Sequence, residues 1–119
     1  VNWIKVGENK SEDSFYVDID NIKKNDEFVY YWDLINFFEK TKIGAHSHVS
    51  KYKVDCIHEK QIWLSNTFYS RPMAKGKIIT ELIPVWNHYG STLNETRYLT
   101  LDSIEDKIMK FACDRTNRN

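Results

Sequence analysis

His46-Ser47-His48 sets two imidazoles two residues apart, on one side of a strand if the strand already runs there. Copper or zinc is what such a pair would hold. Either metal takes three or four ligands, and nothing in the spacing of His58 and His88 brings them in. Solvated loop histidines are the plainer reading, with His46 and His48 kept only as weak metal candidates. Cys56 and Cys113 are the two cysteines, and without a CxxC they form neither a zinc nor a thioredoxin-type pattern. They are either free buried thiols or one disulfide between residues 57 apart. Ser, His and carboxylate residues are too scattered for a nucleophilic triad, and there is no Gly-rich phosphate loop. The expectation is a non-enzymatic protein without a cofactor.

Binding is the chemistry left to consider. Lys51 and Lys53 fall on the polar face of an alternating stretch, and Arg71, Lys75 and Lys77 follow on a nearby loop and strand. Together they could form a basic patch for an acidic or polyanionic partner. The plainer account is a solvated sheet face, with lysines guarding an edge against unwanted pairing. Trp63, Tyr69 and Trp86 suit an interface where exposed and a core where not. The candidate partner-binding surface is Lys51, Lys53, Tyr69, Arg71, Lys75 and Lys77. Aromatics interleaved with lysines look superficially like a single-strand nucleic-acid platform. The chain carries 17 basic and 17 acidic residues, so no net field draws it to nucleic acid, and none is expected as a partner.

The elements that must hold these groups read as one domain, residues 1–119. Seven Tyr, six Phe and four Trp against two Pro and four Gly favour strands over disorder. No apolar run approaches the roughly 18 residues a spanning helix needs, so no transmembrane segment is expected. Strands fall within 2–83. Asn2 to Val6 and Ser14 to Asp18 read as a hairpin. Phe28 to Phe38 is apolar at most odd and even positions, the pattern of a central strand covered on both sides, with Asp33 expected to face the surface. Tyr52, Val54 and Cys56 alternate with Lys51, Lys53 and Asp55, which marks a strand with one wet face. Gln61 to Ser70 and Lys77 to Ile83 follow, separated by a Pro- and Gly-containing loop over Arg71 to Gly76.

Segment 84–101 is irregular, with one more short strand over Arg97 to Leu101. A helix over 102–114 starts at Asp102 or Ser103, since Ser103-Ile104-Glu105-Asp106 is a capping signature. Ile104, Ile108, Phe111 and Ala112 line one stripe, and at 100° per residue Cys113 lies well off its centre. The tail from Arg115 to Asn119 is polar.

The order of short motifs resembles a known family. A W-x-K-V opening (Trp3, Lys5, Val6) precedes F-Y-V-D (Phe15 to Asp18) with Asp20, Ile22 and Lys23. V-Y-Y-W (Val29 to Trp32), K-Y-x-V-x-C (Lys51 to Cys56), F-Y-S-x-P-M-x-x-G-K (Phe68 to Lys77) and a late Cys113 complete the set. Together they resemble the bacterial surface-adhesin protein E family, over roughly residues 3 to 78 plus Cys113.

The resemblance implies an α+β fold: a curved antiparallel β-sheet of about six strands with one C-terminal helix packed on it and tethered by a disulfide, here Cys56 with Cys113. It implies export to the periplasm or cell surface, a leader already removed ahead of Val1, and homodimerisation as an option. It also implies a protein partner, either a host matrix or serum protein or a subunit of an envelope complex. In a bacterial protein the Asn94-Glu95-Thr96 acceptor pattern carries no meaning. The chain departs from the family in opening on Val1 rather than a lipid-bearing Cys, and in a long 85–101 segment. The functional expectation is an exported protein-binding or assembly module. The alternative is a small-ligand or metal-handling periplasmic protein that uses the sheet concavity with His46, His48 and His58.

Overall fold

A computed structural model describes residues 1–83, 96–98 and 103–116, the strand at 96–98 by its backbone. Among these residues eight strands and one α-helix follow in order: β1 Trp3–Glu8, β2 Ser14–Asp18, β3 Lys23–Asn25, β4 Phe28–Asn36, β5 Ser47–Asp55, β6 Lys60–Arg71, β7 Lys75–Leu82, β8 Thr96–Tyr98 and α1 Ile104–Thr116. Every strand pair is antiparallel, and the continuous path runs β1-β2-β4-β5-β6-β7.

The two three-residue strands add no lanes to the sheet. β2 pairs with β4 from Val17 opposite Asp33 outward, and β3 resumes on the same side at Lys23 opposite Tyr30. Between them a single 3-10 turn, Ile19–Asn21, steps out of the sheet. The Asp18 carboxylate holds that turn by accepting from the amides of Asn2 (2.9 Å) and Asp20 (3.2 Å) and from Asn21 Nδ2 (2.7 Å). β7 leaves β6 after Leu82 opposite Asn66, and β8 rejoins it at Thr96 opposite Ile62. Six lanes are thus built from eight strands, which matches the sequence expectation of about six.

Alternation along β4 decides what lies under the helix. Val29, Tyr31 and Asp33 point to one face and are buried, while Phe28, Tyr30 and Trp32 point to the other and are only half-buried. β4 is central, as the sequence reading has it, but only its helix face is fully covered for most of its length. Asp33 corrects that reading outright. It shares the parity of Val29 and Tyr31, and only 4% of it is exposed.

The core joins Phe15, Val17, Val29, Tyr31 and Val54 of the sheet to Ile108, Met109, Ala112 and Cys113 of α1. Burying side chains of this size stabilises the fold by roughly 1.5–3 kcal/mol each. Tyr31 keeps its hydroxyl satisfied by donating to Gln61 Oε1 at 2.8 Å, and its ring stacks on Tyr52 at 5.3 Å. Gly7 lets the first turn of α1 come down on the edge strand, because a Cβ there would stand 2.8 Å from Ile104 Cδ1.

Ser103 is the N-cap of α1, its hydroxyl accepting from the Asp106 amide at 3.1 Å. The buried stripe includes Met109 and Cys113 as well as Ile108 and Ala112, while Ile104 and Phe111 are only partly buried. The stripe is therefore rotated toward Met109 relative to the sequence reading. That rotation brings Cys113 over the sheet while the helix continues to Thr116. Cys113 is bonded to Cys56 just beyond β5, with 6.0 Å between Cα atoms. The carboxylate of Asp106, also on the inner side, pairs with Lys110 at 2.9 Å. No helix among the described residues is long and apolar enough to cross a membrane.

Candidate partner-binding face

Among the described residues no helix packs on the face opposite α1, although Leu34 and Val49 on that face are buried, and strand register says which other residues share it. Lys51 lies opposite Trp32, Lys53 opposite Tyr30, and Tyr69 opposite both Ser47 and Ile78. Lys51, Lys53 and Tyr69 therefore stand on the face opposite α1. The Lys51 ammonium sits 5.2 Å from the centre of the Trp32 ring, and that of Lys53 sits 4.1 Å from the Phe28 ring. Each ammonium thus covers part of a neighbouring ring, which contributes to the partial burial of Trp32 and Phe28.

Arg71, Lys75 and Lys77 lie elsewhere. Arg71 opposes Lys75 at the end of the β6–β7 hairpin, and all three are exposed. Tyr69 is next to that end, at Ser47, four residues along β5 from Lys51, or roughly 13 Å. The six sequence-nominated residues thus divide into Lys51 and Lys53 at mid-sheet, and Tyr69, Arg71, Lys75 and Lys77 around the hairpin.

The hairpin is built to hold its shape. Met73 and Ala74 both take left-handed backbone conformations, with φ of 61° and 58°, which cost about 1–2 kcal/mol each for residues with a Cβ. Two side chains from neighbouring strands clamp it. The Met73 amide donates to Asn36 Oδ1 at 2.8 Å. Ser47, fully buried, donates from its hydroxyl to the Arg71 carbonyl at 2.6 Å and accepts from the Ala74 amide at 3.0 Å. The Ser70 hydroxyl accepts from the Lys77 amide at 3.0 Å. Ile78 is 57% exposed opposite Tyr69 and adds apolar surface beside the loop.

The histidines are dispersed. His48 faces the helix side of the sheet, stacked between Phe68 at 4.3 Å and Phe37 at 6.3 Å, with Nε2 3.2 Å from the Ser50 hydroxyl. Burial holds its pKa below the ordinary imidazole value, against the opposing effect of Asn66. His58 sits past the far end of β5, Nδ1 2.7 Å from Asp55 Oδ2. That hydrogen bond, above all, lowers the Asp55 pKa. Among the described residues no three His, Cys, Asp or Glu side chains gather as metal ligands.

Sequence reasoning missed Tyr30 and Trp32 as surface groups, and Asn36 and Ser47 as the hairpin's clamps. The alternation of 51–53 was visible, but which rings the lysines cover depends on the β4–β5 register. Trp63 is half-buried opposite Tyr52. Trp86, His88, the 94–96 acceptor pattern except the backbone at 96, Leu101 and Asp102 lie outside the described residues.

Comparison with known proteins agrees with this architecture. Residues 3–114 match the family model described as Surface-adhesin protein E. The structure of Haemophilus influenzae protein E superimposes with a TM-score of 0.68 at 16% identity, over 98% of this chain and 87% of that one. A second crystal form of the same protein gives 0.67 at 16% identity, over 98% and 90%. Protein E from non-typeable Haemophilus influenzae gives 0.63 at 15% identity, over 98% and 78%. At these identities the likeness is one of fold. No curated protein matches the sequence.

Proposed function

The chain belongs to the Surface-adhesin protein E family, and from that premise we propose that it is an exported, non-enzymatic adhesin that engages a protein partner outside the cell. The partner in this reading is a matrix or serum protein of a host, and the contact is made at the hairpin end of the face opposite α1. The observation that carries it is the clamped β6–β7 hairpin. Two residues in left-handed conformations are held by Asn36 and Ser47, and Tyr69, Arg71, Lys75, Lys77 and Ile78 are presented around them. Backbone strain kept in place by neighbouring strands is typical of binding loops, and a loop fixed beforehand loses less entropy on association. A tyrosine beside an arginine is a common anchor pair at protein interfaces.

The Cys56–Cys113 bond supports the address, since such bonds persist in oxidising compartments. The test uses intact cells that produce the protein. A membrane-impermeant amine reagent should label Lys75 or Lys77 before the cells are opened. The cells should also retain more soluble matrix or serum protein than a deletion strain. Labelling only after lysis, or no difference in retained protein, contradicts the proposal.

A further inference from the structure

The middle of the face opposite α1 gathers three lysines. Lys51 and Lys53 are two residues apart on β5, roughly 6.8 Å along the strand. Lys23 on β3 lies opposite Tyr30, and Tyr30 lies opposite Lys53, so the two lysines flank the tyrosine across two strand spacings, roughly 9.6 Å. Among the described residues none of the three forms an ion pair. Asp55, the acid at this end of the face, keeps its charge, but its carboxylate accepts from the amides of Ile57 and His58 and lies against the His58 ring, so three lysines stand against one acid here. A chain with zero formal net charge thus has a local cationic surface here.

Three features select what could lie on that surface. Lys51 and Lys53 are steadied over Trp32 and Phe28, so less side-chain freedom is lost when an anion arrives. All three cations are lysines. Lysine is a point charge that tolerates many anion geometries, whereas the arginine fork selects carboxylates bidentately. Tyr30, partly exposed between Lys23 and Lys53, offers an aromatic ring to the apolar C–H face of a sugar, while Trp32 is the ring under Lys51. An acidic protein segment would satisfy the lysines but would leave the Tyr30 ring without a matching partner.

We propose that this part of the face binds a linear anionic polysaccharide, its sulfate or uronate groups on Lys23, Lys51 and Lys53 and a sugar ring against Tyr30. The proposal rests on the surface-adhesin reading for the encounter, but it uses residues distinct from the hairpin.

Equilibrium binding of the intact, disulfide-bonded protein to three immobilised probes tests it: heparin, neutral dextran and poly-glutamate. Heparin should bind, dextran should not, and poly-glutamate should bind at least about tenfold more weakly than heparin. Lys51→Gln with Lys53→Gln should weaken heparin binding by about tenfold or more. Lys23→Gln alone is a second, independent variant and should weaken it less. Arg71→Gln with Lys75→Gln should leave it unchanged, and melting curves of all variants should coincide. The proposal is overturned by absent heparin binding, by heparin affinity unchanged in the Lys51, Lys53 double variant, or by poly-glutamate binding as tightly as heparin. The last result would assign the face to an acidic protein segment. None of these three outcomes changes the hairpin's role, which is read with protein partners.

Discussion

The carboxyl of Asp33, buried on β4, faces the side of the sheet over which Glu105 enters with the first turn of α1. Burial, and secondarily the Glu105 charge, raise its pKa from 3.8 to about 8. Among the described residues its Oδ1 has no hydrogen-bond partner. At neutral pH the fold therefore holds Asp33 as a neutral acid.

Stability should consequently fall as the pH rises. Between 3.8 and about 8 the folded chain retains a proton that the unfolded chain releases. The stabilisation is complete below the lower value, is lost progressively across the interval and levels off above the upper one. Its size is on the order of 5 kcal/mol. Asp33→Asn, which cannot ionise, should remove that slope and be the more stable protein at pH 8. Urea unfolding at pH 4, 6 and 8 measures this, and equal slopes in the two proteins would contradict it.

Asp18 should behave in the opposite sense. Burial pushes its pKa up, but hydrogen bonds from the Asn2 amide, the Asn21 side chain and the Asp20 amide outweigh it and hold the pKa below 3.8. Its contribution is present above 3.8 and lost as the pH falls through the folded value. Asp18→Ala should cost about 1–3 kcal/mol at pH 7, with the difference from wild type narrowing toward pH 2. Paired denaturation curves check both the cost and its pH dependence.

The Cys56–Cys113 bond closes 57 residues, a constraint on the unfolded chain of about 4 kcal/mol. Cys56→Ser with Cys113→Ser should lower the melting temperature by roughly 10 °C or more. Reductant should do the same to the wild type and nothing further to the variant. Calorimetry with and without reductant distinguishes this from a helix held by packing alone.

At the hairpin, Ser47→Ala leaves the Arg71 carbonyl and the Ala74 amide without their shared partner and should cost about 1–3 kcal/mol. Ala74→Gly removes the Cβ from a left-handed residue and should stabilise the fold by up to about 1 kcal/mol. Opposite signs in the two variants would show that strain and clamp oppose each other; equal signs would not.

How much of this was legible depends on the distance over which each feature is decided. The alternation from Lys51 to Cys56 and the Ser103 cap are local, and both are where the sequence puts them. The face of Asp33 is not local. The flanking apolar run hides its parity, and only the pairing of Val17 with Asp33 and of Tyr31 with Tyr52 fixes it. The helix stripe was misjudged because Met109 was left out, and with it the position of Cys113. The hairpin's clamps come from Asn36 and Ser47, 37 residues before Met73 and 27 before Ala74, and no short-range pattern announces them. The family motifs located the disulfide where helical periodicity resisted it.

The proposed adhesive contact is the clamped β6–β7 hairpin. Its most direct measurement is a titration of the purified protein against immobilised matrix and serum proteins, in wild type and in Tyr69→Ala with Arg71→Glu and Lys75→Glu. Saturable binding to at least one of them is expected, weakened by about tenfold or more in the triple variant at unchanged melting temperature. Wild-type binding that survives the triple variant at full strength, or no binding to any of them, would contradict it.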